Sequence, residues 1–148
     1  MRWLLTGPGG SRRDHLQLAP LSTCPAAARA FVADFCRRTA VPHLAESAQV
    51  VVSELVTNAV RHTGTVVGLT IARGGSHLTI SVRDGSTAPP CLTIGYARRD
   101  PSAPGARGLL LVDRLSAGWG TFAHTGGKTV WATLPIRPYP PYSPSASA

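Results

Sequence analysis

Residues 50–62 read VVVSELVTNAVRH, and this stretch decides how the rest of the chain is read. Wound at about 100° per residue, Val52, Leu55, Val56 and Ala59 cluster on one side of a helix. Glu54, Asn58, Arg61 and His62, spaced i, i+4, i+7 and i+8, gather on the other. A carboxylate, an amide and a cation thus form a polar stripe opposite an apolar one. A merely solvated helix face is more often rich in Lys and Glu. This stripe has a single Glu and places an Asn, a mediocre helix former, in mid-helix. It points to something beyond helix stability.

Outward from that helix the periodicities change in a readable order. Pro42 starts the stretch and Gly64 stops it, which predicts a helix over about Leu44 to His62. Upstream, Ser22 or Thr23 caps a helix with Pro25 in its first turn. That helix runs over Ala26 to Arg38 and is expected to bury Ala27, Ala30, Phe31, Ala33 or the neighbours of Asp34, and Phe35. His15 to Leu18 alternates like an edge strand. Downstream, strands over Val66 to Ala72 and His77 to Arg83 flank a Gly74-Gly75-Ser76 turn, with Leu78, Ile80 and Val82 on one face. Asp84 to about Pro104 reads as a loop, and Gly105 to Leu115 as a Gly-led apolar helix. Gly118 to Ala123 and Lys128 to Leu134 make a last hairpin around Thr125-Gly126-Gly127. The order β-α-α-β-β-loop-α-β-β predicts an α+β two-layer sandwich. Its sheet is mixed and largely antiparallel, with helices packed on one face; a doubly wound parallel sheet does not fit. Residues 1–13 read as a flexible N-terminus, 14–135 as the domain and 136–148 as a Pro/Ser-rich tail.

Composition bounds the function classes. Of 148 residues, 43% are hydrophobic and 15% charged, enough for a core and too little charge for a disordered polyelectrolyte. No apolar run reaches the ~20 residues of a membrane span. The opening MRWLLTG has too short an apolar run for a signal peptide, so a soluble, cytoplasmic protein without a membrane partner is expected. Cys24, Cys36 and Cys91 are odd in number and form no CxxC, which argues against a disulfide framework and against a zinc site. The net charge of +8 suggests an anionic partner, and all the basic residues except Lys128 are arginine. No helix carries a basic stripe with interleaved aromatics, so nucleic acid is a minority reading.

Three further segments carry candidate chemistry. In VRDGSTAPP (82–90), Asp84 ends a strand before Gly85. It is either a plain turn residue or a carboxylate aimed into a pocket to accept from a ligand amino group. In GARGLLLV (105–112), glycines opening a helix free backbone N–H groups for an anion, and Arg107 adds a positive charge. Neither GxxxxGK[ST] nor a strand-borne GxGxxG occurs. In GGKTVW (126–131), a hairpin turn leads into a strand whose Lys128 or Thr129 is in reach of a phosphate.

Taken together, SELVTNAVRH (53–62), VRDGSTAPP (82–90), GARGLLLVDRLSAGWG (105–120) and GGKTVWATL (126–134) are far more specific than any one alone. In this order and spacing the chain resembles the Bergerat-fold (GHKL) ATP-binding family of gyrase, HSP90 chaperones, sensor histidine kinases and MutL. Within it, the chain looks like the small bacterial anti-sigma factor serine/threonine kinases. The resemblance implies Mg-ATP binding. It gives Glu54 the place of the general base and Asn58 that of the Mg²⁺ ligand between the phosphates. Arg61 falls where a basic residue touches phosphate, with His62 beside it, and Asp84, followed by Gly85, where the adenine amino group is recognised. Gly105, Arg107, Gly108 and Leu109 fall in the Gly-rich segment at the nucleotide lid, and Thr129 at a late strand position near the pocket. The implied function is phosphorylation of a Ser or Thr on an antagonist protein, which holds or releases a sigma factor. The sigma factor and the antagonist are the implied partners, and a homodimer is compatible. The sequence departs from the family pattern at Asp84-Gly85-Ser86-Thr87-Ala88, where sensor kinases carry Asp-x-Gly-x-Gly, and at Ala106, where a glycine is usual. The alternative is a non-catalytic, ATP-responsive protein-binding module. A complete sensor histidine kinase is not expected from these residues, which carry no phospho-acceptor His with dimerisation helices.

Overall fold

The computed structural model describes residues 2–6, 12–86, 100, 102 and 106–137. Its elements, in chain order, are β1 (Arg2–Thr6), β2 (Arg12–Leu18), α1 (Cys24–Arg38), a 3₁₀ turn (Pro42–Leu44), α2 (Ala45–Thr63), β3 (Val67–Arg73), β4 (His77–Asp84), α3 (Ala106–Leu115), β5 (Gly118–His124) and β6 (Gly127–Pro135). The strands form one six-stranded sheet in the order β1-β2-β3-β4-β6-β5. Every pairing among them is antiparallel, which sharpens the expectation of a mixed, largely antiparallel sheet.

Alternation along the strands sets the two faces. Leu69 and Ile71 on β3, Leu78, Ile80 and Val82 on β4, and Ala132 and Leu134 on β6 point inward and are fully buried. Against them lie Ala28, Val32, Phe35 and Cys36 of α1 and Ala48, Val51, Val52, Leu55, Val56 and Ala59 of α2. Each fully buried Leu, Ile, Val or Phe contributes about 1.5–3 kcal/mol relative to exposure, so this single layer contact dominates the stability of the fold. The helices sit on one face of an α+β sandwich, as the element order predicts.

Three expectations differ from the structure. Residues 2–6, read as part of a flexible end, form an outer strand that pairs along β2 from Arg2–Leu16 to Thr6–Arg12. His15–Leu18 is therefore not an edge. Its strand is longer, Arg12–Leu18, and lies between β1 and β3. On α1 the buried stripe is Ala28, Phe31, Val32, Phe35 and Cys36, while Ala27 and Ala30 are exposed. Small alanines give no signal of which side faces inward; the larger Val32 decides it.

One buried charge anchors α1 to the sheet. Asp14, only 2% exposed, faces inward on β2, and Arg38 donates to its Oδ2 at 2.5 Å and to Asp34 Oδ2 at 2.7 Å. Burial alone lowers the pKa of Arg38, but the hydrogen bonds to Asp34 and Asp14 outweigh it and raise the net value. Cys24 and Cys36 are buried and unpaired. Burial pushes the Cys36 thiol up to about 11, so it stays a packing group rather than a nucleophile. Cys91 lies outside the described residues. Ile136, the first residue of the expected tail, donates its N–H to the Ser76 carbonyl, and its own carbonyl accepts from His43 Nε2. Residues 138–148 lie outside the described part. No described helix is long and apolar enough to cross a membrane.

Candidate functional site

Helix α2 carries the polar stripe. Its apolar side is spent on the sheet and α1, so geometry turns Glu54 and Asn58, one turn apart, away from the core, where both are half-buried. Arg61 follows on the same stripe and is exposed. His62 is on the same helix, its side chain outside the described part. The helix ends at Gly64, at φ 57° in the left-handed region that glycine takes without a Cβ penalty.

Helix α3 packs against α2. Its buried side is Leu109 and Val112. This docking brings Gly108, in the first turn of α3, against the Glu54 carboxylate. A Cβ on Gly108 would overlap Glu54 Oε2 and come within 2.8 Å of its Cδ. Glycine at 108 is thus what lets the α3 backbone meet the carboxylate. Arg107, beside it, is exposed. Gly105 lies outside the described residues, as does most of the segment between Ser86 and Ala106.

Asp84 stands at the C-terminal end of β4, on the inward face, and is 3% exposed. Its Oδ1 accepts the Ser86 N–H at 2.8 Å. Gly85 is exposed, and its N–H donates to Thr65 Oγ1 at 3.0 Å. Thr65 in turn donates to Thr63 Oγ1 (3.0 Å), which donates to the Ala59 carbonyl at 2.9 Å. This hydroxyl relay ties the end of β4 to the end of α2. Asp84 therefore lies near the C-terminus of α2, and Glu54 stands about 14 Å back along its axis. Sequence reasoning missed Thr63 and Thr65; two threonines around a helix-ending glycine look like ordinary turn residues.

The β4–β6 register pairs Asp84 with Lys128 and Arg83 with Thr129. Adjacent residues on a strand point to opposite faces, so Lys128 shares the inward face with Asp84 and Thr129 does not. The Lys128 ammonium is 3.9 Å from Asp84 Oδ2. Thr129 faces the other side of the sheet, where its hydroxyl meets His124 Nε2 at 3.1 Å. The expectation that Thr129 lies by the pocket is corrected by one residue. The available signal was that Lys128 is the lone lysine among 15 basic residues. Gly127 lets β6 pass close to β4, for a Cβ there would overlap the Asp84 carbonyl.

The fold thus sets Gly108 of α3 against Glu54, with Asn58 one turn along α2, and places Asp84, Gly85 and Lys128 at the far end of the same helix. Residues 44–138, which include both groups, match the family described as histidine kinase-, DNA gyrase B- and HSP90-like ATPases. The chain belongs to this family, and its ATPase domain implies ATP binding. No curated protein matches the chain.

Proposed function

We propose that this protein is a cytoplasmic, Mg-ATP-binding kinase of the anti-sigma-factor type. It phosphorylates a Ser or Thr of an antagonist protein and thereby controls a sigma factor. The observation that carries the reading is the Glu54 carboxylate held against the bare backbone of α3 at Gly108. A base for phosphoryl transfer needs a fixed position beside the phosphate-binding backbone, and this contact supplies it.

The residues present fit such a ligand. Among the described residues, no cluster of three or more His, Cys, Asp or Glu is placed to hold a metal ion. Mg²⁺ does not require one: it is commonly held by one or two protein oxygens together with phosphate oxygens. Asn58 offers a carboxamide oxygen one turn from Glu54. When bound, the nucleotide and its metal supply the phosphoryl group and the charge neutralisation that transfer requires. Glu54 takes the proton from the antagonist hydroxyl. Arg107 and the first amides of α3 present positive charge and N–H donors to the phosphates. Asp84 accepts from the amino group of the base, at the opposite end of α2.

Gly108→Ala tests the contact that carries this proposal. The added methyl meets the far end of a flexible side chain, so Glu54 shifts and the fold survives. Alanine also favours the helix by up to about 1 kcal/mol. The melting temperature is expected to hold or rise while transfer falls at least tenfold. The assay is single-turnover incubation with labelled ATP and candidate antagonists. Phosphate appearing on a Ser or Thr of one of them supports the kinase. ATP binding without transfer to any would favour the binding-module alternative.

A further inference from the structure

The sheet has a second face, which the proposed nucleotide site does not use. The described helices pack on the inward side, against the buried strand residues. The six strands hold two carboxylates, Asp14 and Asp84, and both point inward. Their neighbours Arg13 and Arg83 point outward by strand alternation, and both are exposed. The outward face of the strands thus carries cations and no carboxylate, in a chain whose net charge is +8. Two aromatic rings share this face. Trp131 stands opposite Ser81 on β4 and Gly120 on β5. Its indole lies across β5: a Cβ on Gly120 would come within 2.9 Å of the ring, and one on Gly118 within 3.8 Å. The two glycines let the ring lie flat on the strand, where it is half-buried. Phe122, next on the same side of β5, is 54% exposed and meets the His124 ring edge-on, with centroids 6.0 Å apart. Arg83, Thr129 and Phe122 fall in one row across β4, β6 and β5, which sets Arg83 two strands, about 10 Å, from Phe122.

We infer that this outward face binds single-stranded nucleic acid. Trp131 and Phe122 stack bases, and Arg83 and Arg13 hold phosphates. Planar rings and repeated negative charge are what such a strand offers, and sheets that present aromatics beside basic residues take it in this way. Between the rings and the cations the face is mostly Gly, Ser and Thr, too little apolar area for a protein partner to bury. A second copy of this chain would bring Arg13 and Arg83 toward their own counterparts with no carboxylate between them. No helix carries a basic stripe with interleaved aromatics; the sheet carries that combination instead. The inference is independent of the kinase reading.

The test is fluorescence anisotropy of short labelled oligothymidylate and oligouridylate titrated with the full chain at several salt concentrations, without ATP. Binding tighter than to a duplex of the same length is expected, and the tighter of the two oligomers identifies DNA or RNA as the ligand. Phe122→Ala is expected to weaken binding roughly 5–100-fold, the scale of one lost base stack. Its melting temperature should hold, because the ring is exposed. Arg83→Gln is expected to reduce the slope of log affinity against log salt by about 0.7, the share of one phosphate on a single strand. ATP added at constant magnesium and ionic strength should leave the oligomer bound, since its proposed site lies on the helix side of the sheet. Absence of binding to either oligomer at low salt overturns the inference, as does Phe122→Ala binding as tightly as wild type. Displacement by ATP overturns it by placing the oligomer in the nucleotide site. Polyglutamate bound more tightly than either oligomer, with the same dependence on Phe122, makes the face a surface for an acidic protein and overturns the nucleic-acid assignment.

Discussion

Glu54→Ala is expected to keep ATP binding and to lose phosphoryl transfer to the antagonist by roughly 10²–10⁴-fold, the usual contribution of a positioned general base. The two effects separate because Glu54 projects from the polar side of α2. The apolar side, Val51, Val52, Leu55, Val56 and Ala59, is untouched. Removing the side chain leaves a small gap against Gly108, so stability changes by no more than about 1 kcal/mol. Glu54→Gln refines the test, since it preserves shape and removes only basicity. If either variant phosphorylates an antagonist as fast as wild type, Glu54 is not the base and its contact with α3 is structural.

Asn58→Ala is expected to weaken ATP binding roughly 10–100-fold in Mg²⁺, on the scale of losing one contact to a charged group. In chelator the variant and wild type should bind alike if, as proposed, the lost contact is to the metal. Stability should move the other way. Asparagine in mid-helix is less favourable than alanine by up to about 0.7 kcal/mol, so the ligand-free variant melts no lower than wild type. Thermal shifts with ATP, measured with magnesium and with chelator, check both halves. An equal loss of affinity in both conditions would remove Asn58 from the metal and assign it to the nucleotide or to packing.

The helices and hairpins were legible because their periods were clean. Leu78, Ile80 and Val82 alternate, and the 3.6-residue pattern from Ala48 to Ala59 marks one buried side of α2. Gly64 ended α2 at the expected place. The stripe of Glu54 and Asn58 was visible because polar residues at helical spacing interrupt an otherwise apolar run. Three things were less legible. Strand β1 has no independent signal: Arg2 to Thr6 is short, and only pairing with β2 makes it a strand. The rotation of α1 was hidden by alanines on every side. The choice between Lys128 and Thr129 turns on strand register, and a one-residue difference exchanges the two faces of the sheet. Hydrophobic alternation fixed the face of Val130, Ala132 and Leu134, and counting back two from Val130 reaches Lys128. The sequence thus contained the correction, while the neighbouring threonine drew the assignment.

The most direct measurement is calorimetric titration of Mg-ATP into wild type and Asp84→Asn. The amide keeps the shape of the buried side chain and its hydrogen bond from the Ser86 N–H, but removes the charge and turns one acceptor into a donor. Micromolar binding to wild type, lost in the variant, is the result expected if α2, α3 and the end of β4 enclose one nucleotide site. Equal binding by both proteins would contradict the assignment of Asp84 to the base. Absence of heat and of thermal stabilisation in wild type would contradict the site as a whole.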